Sequence, residues 1–143
     1  AIVTQNIDGL HQAAGSKNVF ELHGSVHRNY CQKCGKFFDV NYVVNAKRVP
    51  YCDECGGIIK PDVVLYEEGL DSQTINGAVR AISKADMLII GGTSLVVYPA
   101  AGMIDYFKGK YLAVLNRDAT SRDKQADLCI TDPIGEVLGR IRV

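Results

Sequence analysis

Apolar residues along this chain recur with two different periods, and the switch from one to the other outlines its elements. Near the start, Ile2-Val3-Thr4 reads as a strand end, and residues 10–14 as a short helix that Asp8 can cap and Gly15 can stop. Val19, Phe20 and Leu22, with Val26 beyond, predict an extended run that carries His23 at its end, next to Gly24. Residues 60–66 predict another extended run, with Pro61 near its start, where a missing N–H is tolerated. From Asp71 the period becomes helical: Ile75, Ala78, Val79 and Ile82 line one face of a helix over 71–84. Residues 87–90, 111–115 and 128–130 are short unbroken apolar runs, as in strands covered on both faces of a parallel sheet. Residues 99–107 and 133–142 predict further helices, the second capped by Asp132 and opened by Pro133.

This alternation predicts an α/β chain built on a partial doubly wound, Rossmann-like parallel sheet. Residues 28–60 break the pattern. There Phe37, Val40, Tyr42, Val43 and Val44 predict a short helix, or a strand and helix, before a loop around Val49-Pro50. The expected organisation is 1–27 as part of the Rossmann-like domain, 28–60 as an inserted module, and 61–143 as the remainder of that domain. Ala1-Ile2-Val3 resembles the end of a buried strand and not a native start, so the expectation is a fragment without its N-terminal part. Strands 87–90 and 111–115 would then each lack a neighbour, and the fragment should self-associate through an open edge or face.

Composition acts mainly by exclusion. At 47% hydrophobic and 22% charged, the 143 residues have the make-up of a globular chain with a real core. Sixteen Lys+Arg balance 16 Asp+Glu, which argues against a nucleic-acid partner held by phosphate contacts. No apolar run approaches the ~20 residues of a membrane span, and no charged-then-apolar leader opens the sequence. The expectation is no membrane partner and a cytoplasmic location.

Candidate chemistry lies in three places. The first is a cysteine set: Cys31-x2-Cys34, seventeen residues, then Cys52-x2-Cys55, with Cys129 apart. Two such pairs form two thiolate knuckles, and four thiolates close a tetrahedral zinc site. Two disulfides in a secreted protein are the alternative, against which the odd fifth cysteine and the missing leader weigh. With no open coordination position, such a zinc ion is structural and not the catalyst. The second is His23, placed before Gly24 at the end of an extended run, where an imidazole can serve as a general base near neutral pH. A satisfied core histidine would look the same. His27 follows at four residues, but on a strand the two rings would lie about 13 Å apart, so they are not a metal pair. The third is a pair of loops. Gln5-Asn6-Ile7-Asp8 follows a strand end, where open α/β sheets bind ligands, although Asp8 can equally be only a helix cap. Gly91-Gly92-Thr93-Ser94 sits where phosphates could lie; it is no GxGxxG fingerprint and can be a plain turn.

Taken in order, Thr-Gln-Asn-Ile-Asp-Gly-Leu-His at 4–11, Glu-Leu-His-Gly-Ser at 21–25, the two cysteine pairs, Lys-Pro-Asp-Val-Val at 60–64, Gly-Thr-Ser-Leu-x-Val-x-Pro-Ala at 92–100 and Asn116 resemble the bacterial-type sirtuins. These are NAD-dependent protein-lysine deacylases, and the resemblance covers nearly the whole chain. It implies that His23 is the general base acting on the ribose hydroxyls, with Gln5, Asn6, Ile7 and Asp8 around nicotinamide and its ribose. It places Thr93 and Ser94 at the phosphates and adenosine ribose, Asn116 at that ribose, and the backbone at Pro133-Ile134 at adenine. Val63 and Val64 would pair with an acylated-lysine peptide as an added strand. The implied reaction removes acyl groups, giving nicotinamide and O-acyl-ADP-ribose; ADP-ribosyl transfer to protein would use the same pocket. The rival from another class is a zinc-ribbon binding module without chemistry. Two departures stand out. The peptide loop reads Leu65-Tyr66-Glu67-Glu68 where sirtuins usually have Phe-Gly-Glu. The Gly-Ala-Gly-x-Ser turn and Gly-Ile-Pro-Asp-Phe-Arg loop of sirtuins are not in these residues, so the 143 residues alone are expected to be inactive.

Overall fold

The first strand, β1 (Ile2–Thr4), runs parallel to β2 (Val19–Glu21), and the short helix α1 (Leu10–Ala13) lies between them in sequence. Beyond Glu21 the predicted extended run breaks. Leu22 and His23 form a turn, and a new strand, β3 (Gly24–Cys31), leaves in a different sheet. His23 therefore sits in the turn between two strands, not within one. Gly24 makes the change of direction possible: its φ is 77°, and a Cβ there would collide with the Asp62 carbonyl.

β3 is the centre of an antiparallel sheet of order β4-β3-β5, with β4 (Phe37–Asp39) and β5 (Ile59–Val63) at its sides. Helix α2 (Val40–Val44) follows β4 directly, capped by the Asp39 side chain, which accepts from Tyr42 N at 2.9 Å. The strand-and-helix form of the insert is the one that occurs. Cys31, Phe38, Cys52 and Ile59 are the buried cluster of this region, with Val43 and Cys55 packed on it. The run predicted over 60–66 is shorter, ends at Val63, and pairs antiparallel with β3 without joining the parallel sheet. Val64 lies just outside it.

The chain falls into two units, Ala1–Asn76 and one beginning at Gly77, with the boundary inside helix α3 (Ser72–Ser83). The computed structural model describes residues 1–142. α3 starts where predicted because Asp71 accepts from both the backbone N–H and the hydroxyl of Thr74, at 2.7 and 2.8 Å. Ala78 and Ile82 are its buried residues.

The second unit contains a parallel sheet of order β6-β7-β8: β6 (Met87–Gly91), β7 (Tyr111–Leu115) and β8 (Leu128–Ile130). Its core joins Ile90, Leu112 and Val114 with Leu88, Leu95, Ile104 and Phe107. Four expectations change here. β7 has strands on both sides, so it lacks no neighbour; of the two strands, β6 alone has an unpaired flank among the described residues. β6 is not covered on both faces, since Met87 and Ile89 are 49% and 46% exposed while Ile90 is 7% exposed. Residues 99–107 form a 3-10 helix at Ala100–Tyr106, entered through Pro99. The last helix, α4, is only Ile134–Gly139, and its start has no side-chain cap, so Asp132 does not serve as one. The α/β class, with parallel pairing and an inserted four-cysteine module, holds.

Candidate functional site

The loop after β1 is stapled to the β2–β3 turn through its carbonyls. Thr4 O accepts from Leu22 N at 2.9 Å, and Ile7 O from Val26 N at 3.0 Å. Between these two bonds, the Gln5 carbonyl lies 3.1 Å from His23 Nδ1. A carbonyl can only accept, so this contact assigns the proton to Nδ1 and leaves the Nε2 lone pair free. The backbone of His23 is also held, because its carbonyl accepts from Val64 N at 3.0 Å. Ring and main chain are thus fixed from two directions, as a positioned base requires. The structure brings Gln5, Asn6, Ile7, Asp8, His23, Val63 and Val64 into one unit. Asp8 does act as a local cap, with Oδ1 accepting from Leu10 N at 3.0 Å.

Two neighbours of this site escape a reading by motif. Arg28 bridges Glu21 and Asp62 at 2.7 and 2.8 Å, tying the end of β2 to β5 on either side of the histidine turn. The opposite charges were visible in sequence, but nothing there aligned residues 21, 28 and 62. His27 hooks the Asp8 carbonyl through Nε2 at 2.9 Å. The two histidines serve different carbonyls, consistent with their rejection as a metal pair.

The cysteine knuckles repeat one geometry. Gly35 N donates to Cys31 O and Gly56 N to Cys52 O, each at 2.9 Å, with both glycines at positive φ of 75° and 68°. The four Sγ atoms all lie within 4.8 Å of one another, with Cys31–Cys55 at 3.4 Å and Cys34–Cys52 at 3.7 Å. A tetrahedral ion with zinc–sulfur bonds of 2.3 Å needs sulfurs about 3.8 Å apart, so the cage fits zinc. Its electrostatics agree. The Cys34 backbone N–H, foremost, draws the Cys31 thiol down to about 6 against the opposing effect of burial. At Cys34 the Lys36 N–H also favours the thiolate, yet the sulfur of Cys55, burial and the remaining sulfurs push it up to about 12. One thiolate forms readily and the next resists, a conflict that a divalent cation at the centre removes. Lys36 then joins the two knuckles from outside, 2.8 Å from both Asp53 and Glu54.

In the second unit, the remaining candidates all follow the carboxyl ends of parallel strands. Thr93 and Ser94 come just after β6, Asn116 directly after β7, and Ile134 opens α4 after β8. Ile134 packs so closely on Gly91 that a Cβ at Gly91 would meet its Cδ1. Nothing lies within 4 Å of where a Gly92 side chain would be. Part of the polar equipment is already engaged: Thr93 Oγ1 accepts from Leu95 N at 3.2 Å, and Asn116 Nδ2 donates to Asp118 O at 2.8 Å. The Gly92 N–H is engaged as well, by the Leu115 carbonyl at 3.1 Å, so what this edge offers a phosphorylated ligand is the open space beside Gly92 and the exposed Ser94.

The Sir2 family model matches residues 1–99. The chain belongs to the Sir2 family. Among curated relatives, the NAD-dependent protein deacetylase of Clostridium acetobutylicum is 68% identical over 139 residues, 96% of this chain and 57% of the relative. That of Clostridium perfringens is 66% identical over 142 residues, 99% of this chain and 58% of the relative. The chain thus spans somewhat over half the length of these Sir2 relatives. A solved Sir2 structure, in complex with the inhibitor EX-527, 2'-O-acetyl-ADP-ribose and deacetylated p53 peptide, superposes with a TM-score of 0.89 at 41% identity, covering 98% of this chain and 62% of that one. Another, Sir2 with p53 peptide and NAD+, has a TM-score of 0.88 at 39% identity, covering 98% of this chain and 60% of that one. No helix among the described residues of this Sir2 chain is long and apolar enough to cross a membrane.

Proposed function

We propose that this chain is the larger part of an NAD-dependent protein-lysine deacylase. The observation that carries the reading is His23, whose Nδ1–H is committed to the Gln5 carbonyl at 3.1 Å, leaving Nε2 to accept a proton. NAD, when bound, supplies the electrophilic ribose carbon and the hydroxyl that takes over the acyl group. In this reading Gln5, Asn6, Ile7 and Asp8 surround nicotinamide and its ribose, and His23 removes a proton from a ribose hydroxyl. Thr93 and Ser94 hold the phosphates and adenosine ribose, Asn116 that ribose, and the backbone at Ile134 the adenine. Val63 and Val64 receive the acylated peptide by strand addition; the bond from Val64 N to His23 O, which sets Val64 beside the base, supports this role.

Zinc, held by Cys31, Cys34, Cys52 and Cys55, orders residues 28–60 and takes no part in the reaction, because four thiolates leave it no open position. Residues 1–27 and 61–143 supply the Rossmann-like parts on either side of this module. The compartment in this reading is the cytoplasm.

The deciding experiment is mass spectrometry of an acetyl-lysine peptide incubated with NAD and the full-length protein. Loss of the acetyl mass with release of nicotinamide is the expected outcome. Gain of an ADP-ribose mass would assign transfer to protein in place of deacylation. An unchanged peptide would leave a zinc module without chemistry.

A further inference from the structure

We infer that His27 is a positioning residue, which locks the loop carrying Asp8 into its ligand-ready shape before any ligand arrives. This rests on the proposed role of that loop around nicotinamide and ribose. Four loop carbonyls are held by the β2–β3 segment: Thr4 by Leu22 N, Gln5 by the His23 ring, Ile7 by Val26 N, and Asp8 by the His27 ring at 2.9 Å. Two of these donors are main chain and one belongs to the base. His27 is the one side chain outside the proposed chemistry that staples the loop, and it does so at the end bearing Asp8.

Strand β3 is built to deliver this ring. Its pairing with β5 shifts register between Ser25 and Asn29, so residues 26–28 form an irregular stretch against that neighbour. Bulges of this kind re-aim side chains beside functional sites. The irregularity is closed from within: Asn29 is fully buried and donates from Nδ2 to Val26 O at 3.1 Å. Ser25 is 2% exposed and accepts from His27 N at 3.2 Å. The released ring lies against Gly9, whose φ is 70°. A Cβ on Gly9 would stand 2.7 Å from His27 Cδ2 and 2.8 Å from Nε2, so any side chain there would displace the ring. Asp8 is thereby gripped twice, at its carbonyl by His27 and at Oδ1 by Leu10 N, which leaves Oδ2 as its free oxygen. A loop ordered in advance spares the ligand the entropy of ordering it.

The test uses full-length protein carrying His27→Phe, which keeps a flat ring but removes the donor, or His27→Gln, whose amide nitrogen can reach the same carbonyl. His27 is exposed, so both variants should fold and retain zinc. For His27→Phe, loss of one hydrogen bond should weaken NAD binding about fivefold by calorimetry, with kcat within about twofold of wild type. Amide exchange at residues 5–10 should quicken without NAD present, and His27→Gln should restore both quantities. Unchanged exchange and NAD affinity in His27→Phe, or a fall confined to kcat, would overturn the inference, as would failure of His27→Gln to restore exchange. A wild-type protein without NAD-dependent activity would refute the proposed function instead; exchange at residues 5–10 still decides whether His27 holds the loop.

Discussion

His23 illustrates how much a single residue can disclose and where disclosure stops. Its neighbours Leu22 and Gly24 marked it as an imidazole held at the end of a strand; it is held, but in the turn between β2 and β3. Which nitrogen carries the proton depends on the Gln5 carbonyl, eighteen residues upstream, and no local pattern fixes that. His27 was less legible. Counting side chains alternately along a strand assumes an unbroken ladder, and the shift between Ser25 and Asn29 breaks it. At this scale the prediction is direct. His23→Ala in the full-length protein should reduce deacylation by about 10²–10⁴, with zinc content and thermal midpoint close to wild type. Unchanged turnover in a folded variant would return His23 to the role of a core histidine.

Among elements, those defined by strong periodicity were legible and those defined by tertiary pairing were not. α3 follows both its apolar stripe and its Asp71 cap. Residues 60–66 read only as an extended run, because such a run does not reveal its partner; β5 ends at Val63 and pairs antiparallel with β3. The 3-10 helix at Ala100–Tyr106 and the short α4 have the composition of α-helices, and nothing local marks them otherwise. The Asp71 cap carries a pH dependence. The Thr74 backbone N–H, then its hydroxyl, holds the Asp71 carboxyl below its ordinary value. A group depressed in the folded state contributes stability above its unfolded pKa, near 3.9, and loses that contribution as pH falls through the lower folded value. The thermal midpoint of Asp71→Ala should therefore lie below wild type by a constant interval above about pH 5, and the interval should shrink in more acid solution. An interval independent of pH would mean that the charge of the cap is irrelevant. The knuckles make a separate prediction. Cys52→Ser should release zinc and lower the melting temperature, because four sulfurs close enough to share an ion repel or stay protonated without it. Elemental analysis finding no zinc in wild-type protein purified without chelator would refute the site.

For the whole chain, one of the two strands expected to lack a neighbour, β7, turned out to be central. β7 lies between β6 and β8, and this order could not be read from three apolar runs of similar length. What remains is one face of the β6–β8 sheet. Met87 pairs with Tyr111, and Ile89 with Ala113, which in turn pairs with Leu128, so these side chains form two rows on the same side. Met87, Ile89, Tyr111 and Leu128 are 49%, 46%, 48% and 51% exposed. Apolar rows of this size, beside the unpaired flank of β6, favour association when the 143 residues are studied by themselves. Sedimentation of this chain should show concentration-dependent dimers or larger species, and Ile89→Glu should shift it toward monomer. The same chain should bind NAD far more weakly than the full-length protein and show no turnover, since in its second unit the Gly92 N–H is already given to the Leu115 carbonyl at 3.1 Å, which leaves few donors beyond the Ser94 hydroxyl for a phosphate. Calorimetry and the peptide assay, run on the chain and on the full-length protein side by side, decide the matter. Equal NAD affinity with turnover would mean that the residues described here are a sufficient cofactor site; a monomer at all concentrations would mean that the exposed rows do not drive association.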